Sequence, residues 1–154
     1  MPFTLAAAFA LVAAPTPATQ GTPVESNLEY ETPIAGDWTY STTATGSEAT
    51  FANASAQPQL TIRCTRSNRR ISILKAAPSA SPTMWIWTSS QTKSLPATFD
   101  ATSGRVSVEL GAYDSLLDAV AASRGRIGFS TSGVAALVVP PWAEVGRVIE
   151  DCRI

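Results

Sequence analysis

The sequence predicts a small, mainly β domain of the α+β class: an antiparallel sandwich or a partly closed barrel of about seven to nine strands with two short helices. Short runs of alternating apolar and polar residues follow one another from residue 37 to residue 139. Helical periodicity is confined to two short stretches late in the chain, which are too few for βαβ repeats. The 154 residues, of which 45% are hydrophobic, are enough for one domain with a real core.

The N-terminus is predicted to be a secretory signal peptide, residues 1–18. Residues 5–14 form an unbroken apolar run, and a run of this length is too short to span a bilayer. Small residues at Thr16 and Ala18 would allow cleavage after Ala18. The alternative is a disordered, Ala-rich N-terminus of a cytosolic protein, since no Lys or Arg precedes the run. With the signal removed, the protein is expected to be periplasmic or secreted and to keep no membrane span.

A flexible linker and a single folded domain are predicted to follow. Residues 19–34 hold Pro, Gly, Thr and Glu with almost no large apolar side chain, a composition typical of linkers. The β-rich domain is therefore predicted to span residues 35–154 and to begin near Gly36.

The first half of this domain is predicted to consist of strands. The runs at 37–43 and 49–53 alternate between apolar and polar residues. Gln59–Ala76 is predicted to be a hairpin that turns at Ser67 and Asn68. The predicted inward-facing residues of these runs are Trp38, Tyr40, Ala49, Phe51, Leu60, Ile62, Cys64, Ile71 and Ile73.

Three short strands are predicted next. Met84–Thr88 is apolar on both of its faces. Leu95–Asp100 contains Pro96, which marks a sheet edge or a bend. Arg105–Leu110 alternates cleanly, and its apolar residues are predicted to point inward.

A short helix and two more strands are predicted before the last segment. The helix is predicted over Ser115–Arg124, with Asp114 as its N-cap and Gly125 in the C′ position that ends it. The strands are predicted at 126–131 and 134–139, and a Ser-Gly turn joins them.

The last segment is predicted to close the domain as an amphipathic helix. Its buried stripe has the spacing i, i+3, i+4 and i+7 and consists of Val145, Val148, Ile149 and Cys152. Pro140 and Pro141 suit the start of a helix, because no intrahelical N–H is lost there. Trp142 is predicted to plug the core.

The chain has two cysteines, Cys64 and Cys152, and they are predicted to form a disulfide that tethers the closing helix to a strand. Two cysteines in an exported chain are usually bonded. Such a bond would close a long loop and add roughly 4–5 kcal/mol to the free energy of unfolding. The alternative is a pair of free, buried thiols.

Charge and composition exclude several classes of function. The net charge is −1 and no basic tail is present, so no nucleic-acid partner is predicted. The chain has no histidine, which excludes Ser-His-Asp and Cys-His catalysis and His-ligated metal sites. No cofactor and no set of metal ligands is predicted, and the protein is not expected to be an enzyme.

Three residue pairs match catalytic patterns but favour structural roles. Ser72–Lys75 and Ser90–Lys93 both match the Ser-x-x-Lys motif of serine acyltransferases. The first match lies in a predicted strand, where residues three apart face opposite ways, and the second lies in a predicted loop. Asp114 and Asp118 are better explained as a helix cap and a solvated acid than as paired catalytic carboxylates.

Two sets of side chains are candidate binding surfaces. Trp85 and Trp87 share one face of a strand, so they form either an outward aromatic platform or part of the sandwich core. Six arginines form either an anion-binding patch or a group of solvated strand-edge charges. These arginines are Arg63, Arg66, Arg69, Arg70, Arg124 and Arg126.

Several stretches of the C-terminal third carry a resemblance to known sequences. They are Leu116–Val120, Ser123–Ile127, Leu137–Pro140, Trp142–Val145 and Arg147–Arg153. Together with the strand at Leu60–Cys64, they resemble a group of uncharacterised exported proteins of alphaproteobacteria, sphingomonads especially. The layout is more distantly similar to the invasion-associated locus B family and to a periplasmic accessory protein of type VI secretion. The resemblance implies a periplasmic β-rich domain and carries over no catalytic residue.

The sequence therefore favours a non-enzymatic periplasmic module that binds an unidentified protein or envelope component. A proteinaceous inhibitor of a cell-wall hydrolase such as lysozyme is the first alternative, because small disulfide-bonded β domains of the periplasm often have that role. A small hydrolase without histidine is the second alternative. It requires Ser72 and Lys75, or Asp114 and Asp118, to converge in a pocket.

Overall fold

The computed structural model describes residues 28–154, which form ten strands and two helices. The mainly β prediction is confirmed, with one strand more than the predicted seven to nine. The predicted signal peptide and residues 19–27 of the predicted linker lie outside the described residues. The strands are β1 (Gly36–Thr43), β2 (Gly46–Asn53), β3 (Pro58–Thr65), β4 (Arg70–Ala76), β5 (Thr83–Trp87), β6 (Thr92–Pro96), β7 (Thr98–Asp100), β8 (Arg105–Gly111), β9 (Ile127–Thr131) and β10 (Leu137–Val139). The helices are α1 (Ser115–Ala121) and α2 (Ala143–Asp151). Neither of these two helices is long and apolar enough to cross a membrane.

Six strands form the first sheet, in the order β1-β2-β3-β4-β8-β7, and every neighbouring pair is antiparallel. The predicted hairpin at Gln59–Ala76 is confirmed as β3 and β4, in which Leu60 lies opposite Lys75 and Thr65 lies opposite Arg70. Successive side chains of a strand point to opposite faces. One face of this sheet is therefore largely apolar, and the other carries mostly hydroxyl and charged side chains.

Four strands form the second sheet, in the order β10-β9-β5-β6, and its neighbouring pairs are also antiparallel. The prediction of one strand over Leu95–Asp100 is wrong. Strand β6 ends at Pro96 in the second sheet, and β7 begins at Thr98 in the first sheet. Because Pro96 has no N–H to donate to a ladder, the strand cannot continue regular pairing through it, and the chain changes sheets there.

The two sheets and α2 enclose one hydrophobic core, so of the two predicted architectures the structure has two facing sheets, and the described strands form no closed barrel. Helix α2 packs on β1, β2 and β3, while β5 contacts β8. The largest fully buried side chains are Phe51, Phe129, Leu60, Ile62, Ile71, Ile73, Met84, Ile86, Leu116, Leu117, Ile127 and Ile149. Removal of this apolar surface from water is the main favourable contribution to folding.

Helix α1 begins as predicted but ends earlier. The Asp114 carboxylate accepts a hydrogen bond from the Leu116 N–H at 2.9 Å and so caps the helix. The helix ends at Ala121. The prediction that it continues to Arg124 and is ended by Gly125 is therefore wrong.

Ser123 explains this early end. Its hydroxyl donates to the carbonyl of Arg126 at 2.6 Å, which holds residues 123–126 in a turn of their own. Gly125 lies in that turn with φ +74°, a left-handed conformation that suits glycine.

The predicted disulfide anchors helix α2, and the structure confirms it. Cys64 on β3 is bonded to Cys152, the C-cap residue of α2, and their Cα atoms are 5.5 Å apart. Val145, Val148 and Ile149 are buried against the first sheet, as their helical spacing predicts.

Trp142 does not plug the core, so that prediction is wrong. It is the N-cap of α2 with an extended backbone (φ −80°, ψ 170°), and it is 44% exposed. An N-cap residue lacks helical dihedrals, so its side chain lies off the buried stripe. Trp38 is the buried indole nearby: its ring N–H donates to the Pro140 carbonyl at 2.7 Å, and its ring meets Phe51 edge-on.

Residues 28–34, the described end of the predicted linker, pack against the second sheet. Leu28 is 8% exposed and lies over Gly128, where an added Cβ would be 2.6 Å from Leu28 Cδ1. The Ile34 N–H donates to the Val138 carbonyl at 2.9 Å. This part of the chain is therefore held on the fold, and it brings Glu29 close to Trp87.

Candidate functional site

The outer face of the second sheet carries two indole side chains. On β5, Met84 and Ile86 are buried in the core, while Trp85 and Trp87 point to the other face. Trp85 is 43% exposed and Trp87 is half-buried. Of the two arrangements that the sequence allows, the structure therefore shows the outward aromatic pair.

The residues directly opposite the two indoles on the neighbouring strands are small or polar. Ser94 on β6 and Ser130 on β9 lie directly opposite Trp85. Thr92 and Gly128 lie opposite Trp87. These small side chains leave Trp85 43% exposed, whereas Trp87 is half-buried and lies beside Leu28, which packs over Gly128.

A cleft of about 460 Å³ adjoins Trp87 at the end of β5. This volume is within the range of small-molecule sites. Three segments that are distant in sequence form its walls: residue 29, residues 87–92, and the turn that holds Arg124 and Arg126. The lining residues are Glu29, Trp87, Thr88, Ser89, Ser90, Gln91, Thr92, Arg124 and Arg126.

The turn after β5 is held in place by its own side chains. The Thr88 N–H donates to the Gln91 carbonyl at 2.9 Å. The Thr88 hydroxyl oxygen accepts from the Ser90 N–H at 3.3 Å and from the Gln91 N–H at 3.0 Å. This wall of the cleft is therefore formed before any ligand arrives.

Two serines tie this turn to the turn after α1. The Ser89 N–H donates to the Ser123 hydroxyl oxygen at 2.9 Å, and the Arg124 N–H donates to the Ser89 hydroxyl oxygen at 3.0 Å. These two bonds run in opposite directions between the same two turns. The backbone of Arg124 is thus fixed relative to Trp87, although its side chain is exposed.

The two arginines of the cleft differ in their partners. Among residues 28–154, the Arg124 guanidinium makes no hydrogen bond and no ion pair. Arg126 donates through Nη1 to the carbonyl of Glu29 and, at 2.8 Å, to the carbonyl of Glu31. Its other guanidinium nitrogens make no hydrogen bond to described residues.

The other predicted arginines lie elsewhere. Arg63 pairs with Glu48 at 2.8 Å, and Arg70 lies 3.5 Å from Glu109 on the neighbouring strand. Both pairs join adjacent strands of the first sheet, where opposite charges commonly meet. These two arginines are therefore already paired with carboxylates.

The remaining two arginines belong to the β3–β4 turn. Arg69 has φ +51° and donates weakly to the Tyr113 hydroxyl at 3.5 Å, and Arg66 is exposed. The structure brings together Arg124 and Arg126 at one cleft, and it places the other four on a hairpin of the other sheet.

The Ser-Lys matches do not converge. Ser72 lies on the outer face of the first sheet and donates to Glu109 at 3.4 Å, whereas Lys75 lies on the inner face. Ser90 is in the turn after β5, and Lys93 is on β6 rather than in the predicted loop, 3.4 Å from the Asp114 carboxylate.

The two aspartates of α1 do not converge either. Asp114 caps the helix, and Asp118 accepts from Arg153 at 2.7 Å. Each carboxylate therefore has a separate structural partner.

The burial of Lys75 is a feature that the sequence did not predict. Lys75 is 2% exposed, and its ammonium donates to the Thr131 hydroxyl on the second sheet at 3.3 Å. Burial lowers its pKa from the ordinary value of 10.5. The alternation of Ile71, Ile73 and Lys75 in β4 was the available signal, because it places all three on the inner face.

Tyr40 is a second position whose role depends on the tertiary structure. Its hydroxyl donates to the Asp151 carboxylate at 2.7 Å, and the Arg147 guanidinium lies 3.9 Å from the centre of its ring. Desolvation opposes ionisation of Asp151, but this hydrogen bond and the charges of Arg66 and Arg147 help to lower its pKa from 3.8. The end of α2 is thereby fastened to β1 beside the disulfide.

Comparisons with known proteins yield no relative of this chain. No family model, no curated protein and no solved structure matches it. The resemblance to exported alphaproteobacterial proteins therefore stays a prediction.

Proposed function

We propose that this protein is a non-enzymatic binding module of the bacterial cell envelope, and that it binds through the Trp85/Trp87 face and the adjoining cleft. The observation that carries the proposal is the outward pair of indoles on the second sheet, with Trp85 43% exposed. Exposed aromatic side chains beside polar groups are typical of recognition surfaces.

Two further observations support a binding role. The cleft walls are fixed by hydrogen bonds between residues 88–91 and residues 123–126, so little conformational entropy is lost when a ligand binds. The Arg124 side chain has no partner among the described residues and is available to bind a ligand.

An extracytoplasmic location is part of the same proposal. The Cys64–Cys152 bond suits an oxidising compartment such as the periplasm. The apolar run at 5–14 is the sequence feature that would direct export.

Sedimentation with envelope fractions tests the binding role. The disulfide-bonded protein is mixed with isolated cell walls or with outer-membrane vesicles of a Gram-negative bacterium, and the bound fraction is measured after centrifugation. We expect saturable binding to one fraction and its loss in Trp85→Ser. Absence of binding to both fractions contradicts the proposal.

Trp142→Ser is the matched control, because Trp142 is 44% exposed and lies at the start of α2 rather than on β5. It should bind like the unmodified protein. If Trp85→Ser and Trp142→Ser have equal effects while both unfold at the original denaturant concentration, the Trp85/Trp87 face is not the binding surface.

A second candidate function is inhibition of a cell-wall hydrolase such as lysozyme. The observation that favours it is Arg124, an exposed cation without a partner among residues 28–154 on a turn fixed by Ser89 and Ser123. Glycoside hydrolases present two carboxylates in their active sites, and an arginine can pair with them. The activity of a panel of lysozymes is measured with and without this protein. Unchanged lysozyme activity at micromolar concentrations of the protein contradicts this candidate function.

A further inference from the structure

We propose that the cleft beside Trp87 binds a saccharide that carries a carboxylate, with Arg124 and Arg126 binding the carboxylate and Trp87 packing on the sugar ring. This inference rests on the proposed binding function and names the chemical class of its ligand. It concerns the cleft itself, whereas the binding surface proposed above also includes Trp85.

The two arginines provide the charge selectivity. The cleft is lined by Arg124 and Arg126 and by one acidic residue, Glu29, so an anionic group is favoured at its arginine wall. Among residues 28–154, nothing occupies the guanidinium N–H groups of Arg124, and only Nη1 of Arg126 is engaged. Planar guanidinium groups match a carboxylate in two parallel hydrogen bonds.

The backbone of the cleft argues against phosphate. Phosphate sites commonly use free backbone N–H groups at a turn or a helix start. Four such groups of the cleft walls are already bonded to Ser or Thr hydroxyls, namely those of Ser89, Ser90, Gln91 and Arg124. These four backbone N–H groups are therefore not available to a phosphate, and the side-chain guanidinium groups alone can match the two oxygens of a carboxylate.

The remaining walls favour a sugar. Trp87 presents an aromatic surface, and such a surface packs well against the C–H groups of a pyranose ring. Ser90 and Thr92 supply exposed hydroxyls, and Glu29 supplies an exposed carboxylate that can accept from sugar hydroxyls. An apolar ligand would leave these polar groups without partners, at a cost in free energy for each.

Titration of the full chain with four sugars tests the inference. N-acetylmuramic acid and glucuronic acid are the carboxylate probes, and N-acetylglucosamine and glucose are their neutral counterparts. Tryptophan fluorescence and NMR chemical shifts report binding. We expect each acid to bind about tenfold or more tightly than its neutral counterpart, as the loss of a charged hydrogen-bonded pair implies.

Arg124→Gln should remove this preference, because it deletes a guanidinium that has no partner in the described part of the chain and leaves the turn backbone unchanged. Arg63→Gln is the matched control: it removes an exposed arginine of the first sheet and should keep the preference. Equal losses in both variants, or none in Arg124→Gln, overturn the inference.

The remaining outcomes separate this inference from the proposed function. Equal affinity for acidic and neutral sugars overturns the carboxylate assignment, and tighter binding of inorganic phosphate than of either acid overturns it as well. If no sugar binds but the protein still sediments with envelope fractions through Trp85, the saccharide inference fails and the binding function stands. A stronger response to one of the two acids identifies the source of the carboxylate, a cell-wall lactyl ether or a uronic acid.

Discussion

The ammonium nitrogen of Lys75 lies 3.3 Å from the hydroxyl oxygen of Thr131, so a cation on the inner face of the first sheet is hydrogen-bonded to the second sheet. Among the described residues, no carboxylate pairs with this cation. The charge is nevertheless almost fully buried. A buried cation with one neutral partner lowers the stability of the folded state relative to an apolar residue of similar size.

Replacement of this lysine by methionine should therefore stabilise the protein. We expect Lys75→Met to raise the free energy of unfolding at pH 7 by about 1–3 kcal/mol. Thr131→Val is the contrasting variant: it removes the hydroxyl but keeps the cation, and it should lower stability. Urea denaturation of both variants measures these changes, and a destabilised Lys75→Met would contradict the expectation.

Because of Lys75, we expect the free energy of unfolding to depend on pH in the alkaline range. Burial lowers the pKa of Lys75 in the folded state, whereas the unfolded chain keeps the ordinary value of 10.5. Between these two pKa values the unfolded state binds more protons, so the free energy of unfolding should rise with pH up to about 10.5. Unfolding curves across this range should show the rise in the unmodified protein and a flatter profile in Lys75→Met.

The disulfide should contribute a large part of the stability. Cys64 and Cys152 are separated by 88 residues in sequence. Closure of a loop this long constrains the unfolded chain, which corresponds to roughly 4–5 kcal/mol. In the double variant Cys64→Ala with Cys152→Ala, the free energy of unfolding measured by urea denaturation should be lower by about this amount. Reductant should lower the stability of the unmodified protein and leave the double variant unaffected.

Tyr40 and Asp151 should be coupled energetically. A double-mutant cycle with Tyr40→Phe and Asp151→Asn isolates their interaction, and we expect about 1 kcal/mol or less because the carboxylate is partly solvated. The pKa of Asp151 in the folded state is below the ordinary 3.8. Its stabilisation is therefore fully present above pH 3.8 and is lost as the pH falls through the folded-state pKa. An additive cycle at pH 7 would show that the hydrogen bond contributes nothing.

Gly128 should control how residues 28–34 lie beside the cleft. A Cβ at this position would be 2.6 Å from Leu28 Cδ1, so Gly128→Ala should displace Leu28 and shift the adjacent Glu29. We expect a change in Trp87 fluorescence and a loss of stability of about 1 kcal/mol. Leu28→Ala in the same chain should remove the clash, so the two substitutions together should cost less than their sum.

The architecture was largely predictable because its signals are local. Ile71 and Ile73, or Val106 and Val108, point the same way because the direction of a side chain in a strand is set by the backbone of that strand alone. The stripe of α2 follows from helical spacing in the same manner. The disulfide was predictable for a different reason, since a chain with two cysteines allows only one pairing.

The candidate site was predictable only in part. Trp85 and Trp87 were predicted to share a face, but the sequence left open whether that face points outward or into the core; Arg124 and Arg126 were among the predicted arginines. Their grouping with Trp87, and their separation from Arg63 and Arg70, were not predictable. Those placements depend on the strand order β10-β9-β5-β6, which brings residues from distant parts of the chain to one sheet end.

The sequence by itself determined the mainly β class, the inner faces of the strands, the buried stripe of α2 and the pairing of Cys64 with Cys152. Only the tertiary structure decided that the chain changes sheets at Pro96, that Trp142 is exposed, that Lys75 is a buried cation and that a cleft forms beside Trp87. The physical reason is the sequence distance over which each property is set. Side-chain direction depends on a few neighbouring backbone dihedrals, whereas burial, charge pairing and cavities depend on which distant segments pack together.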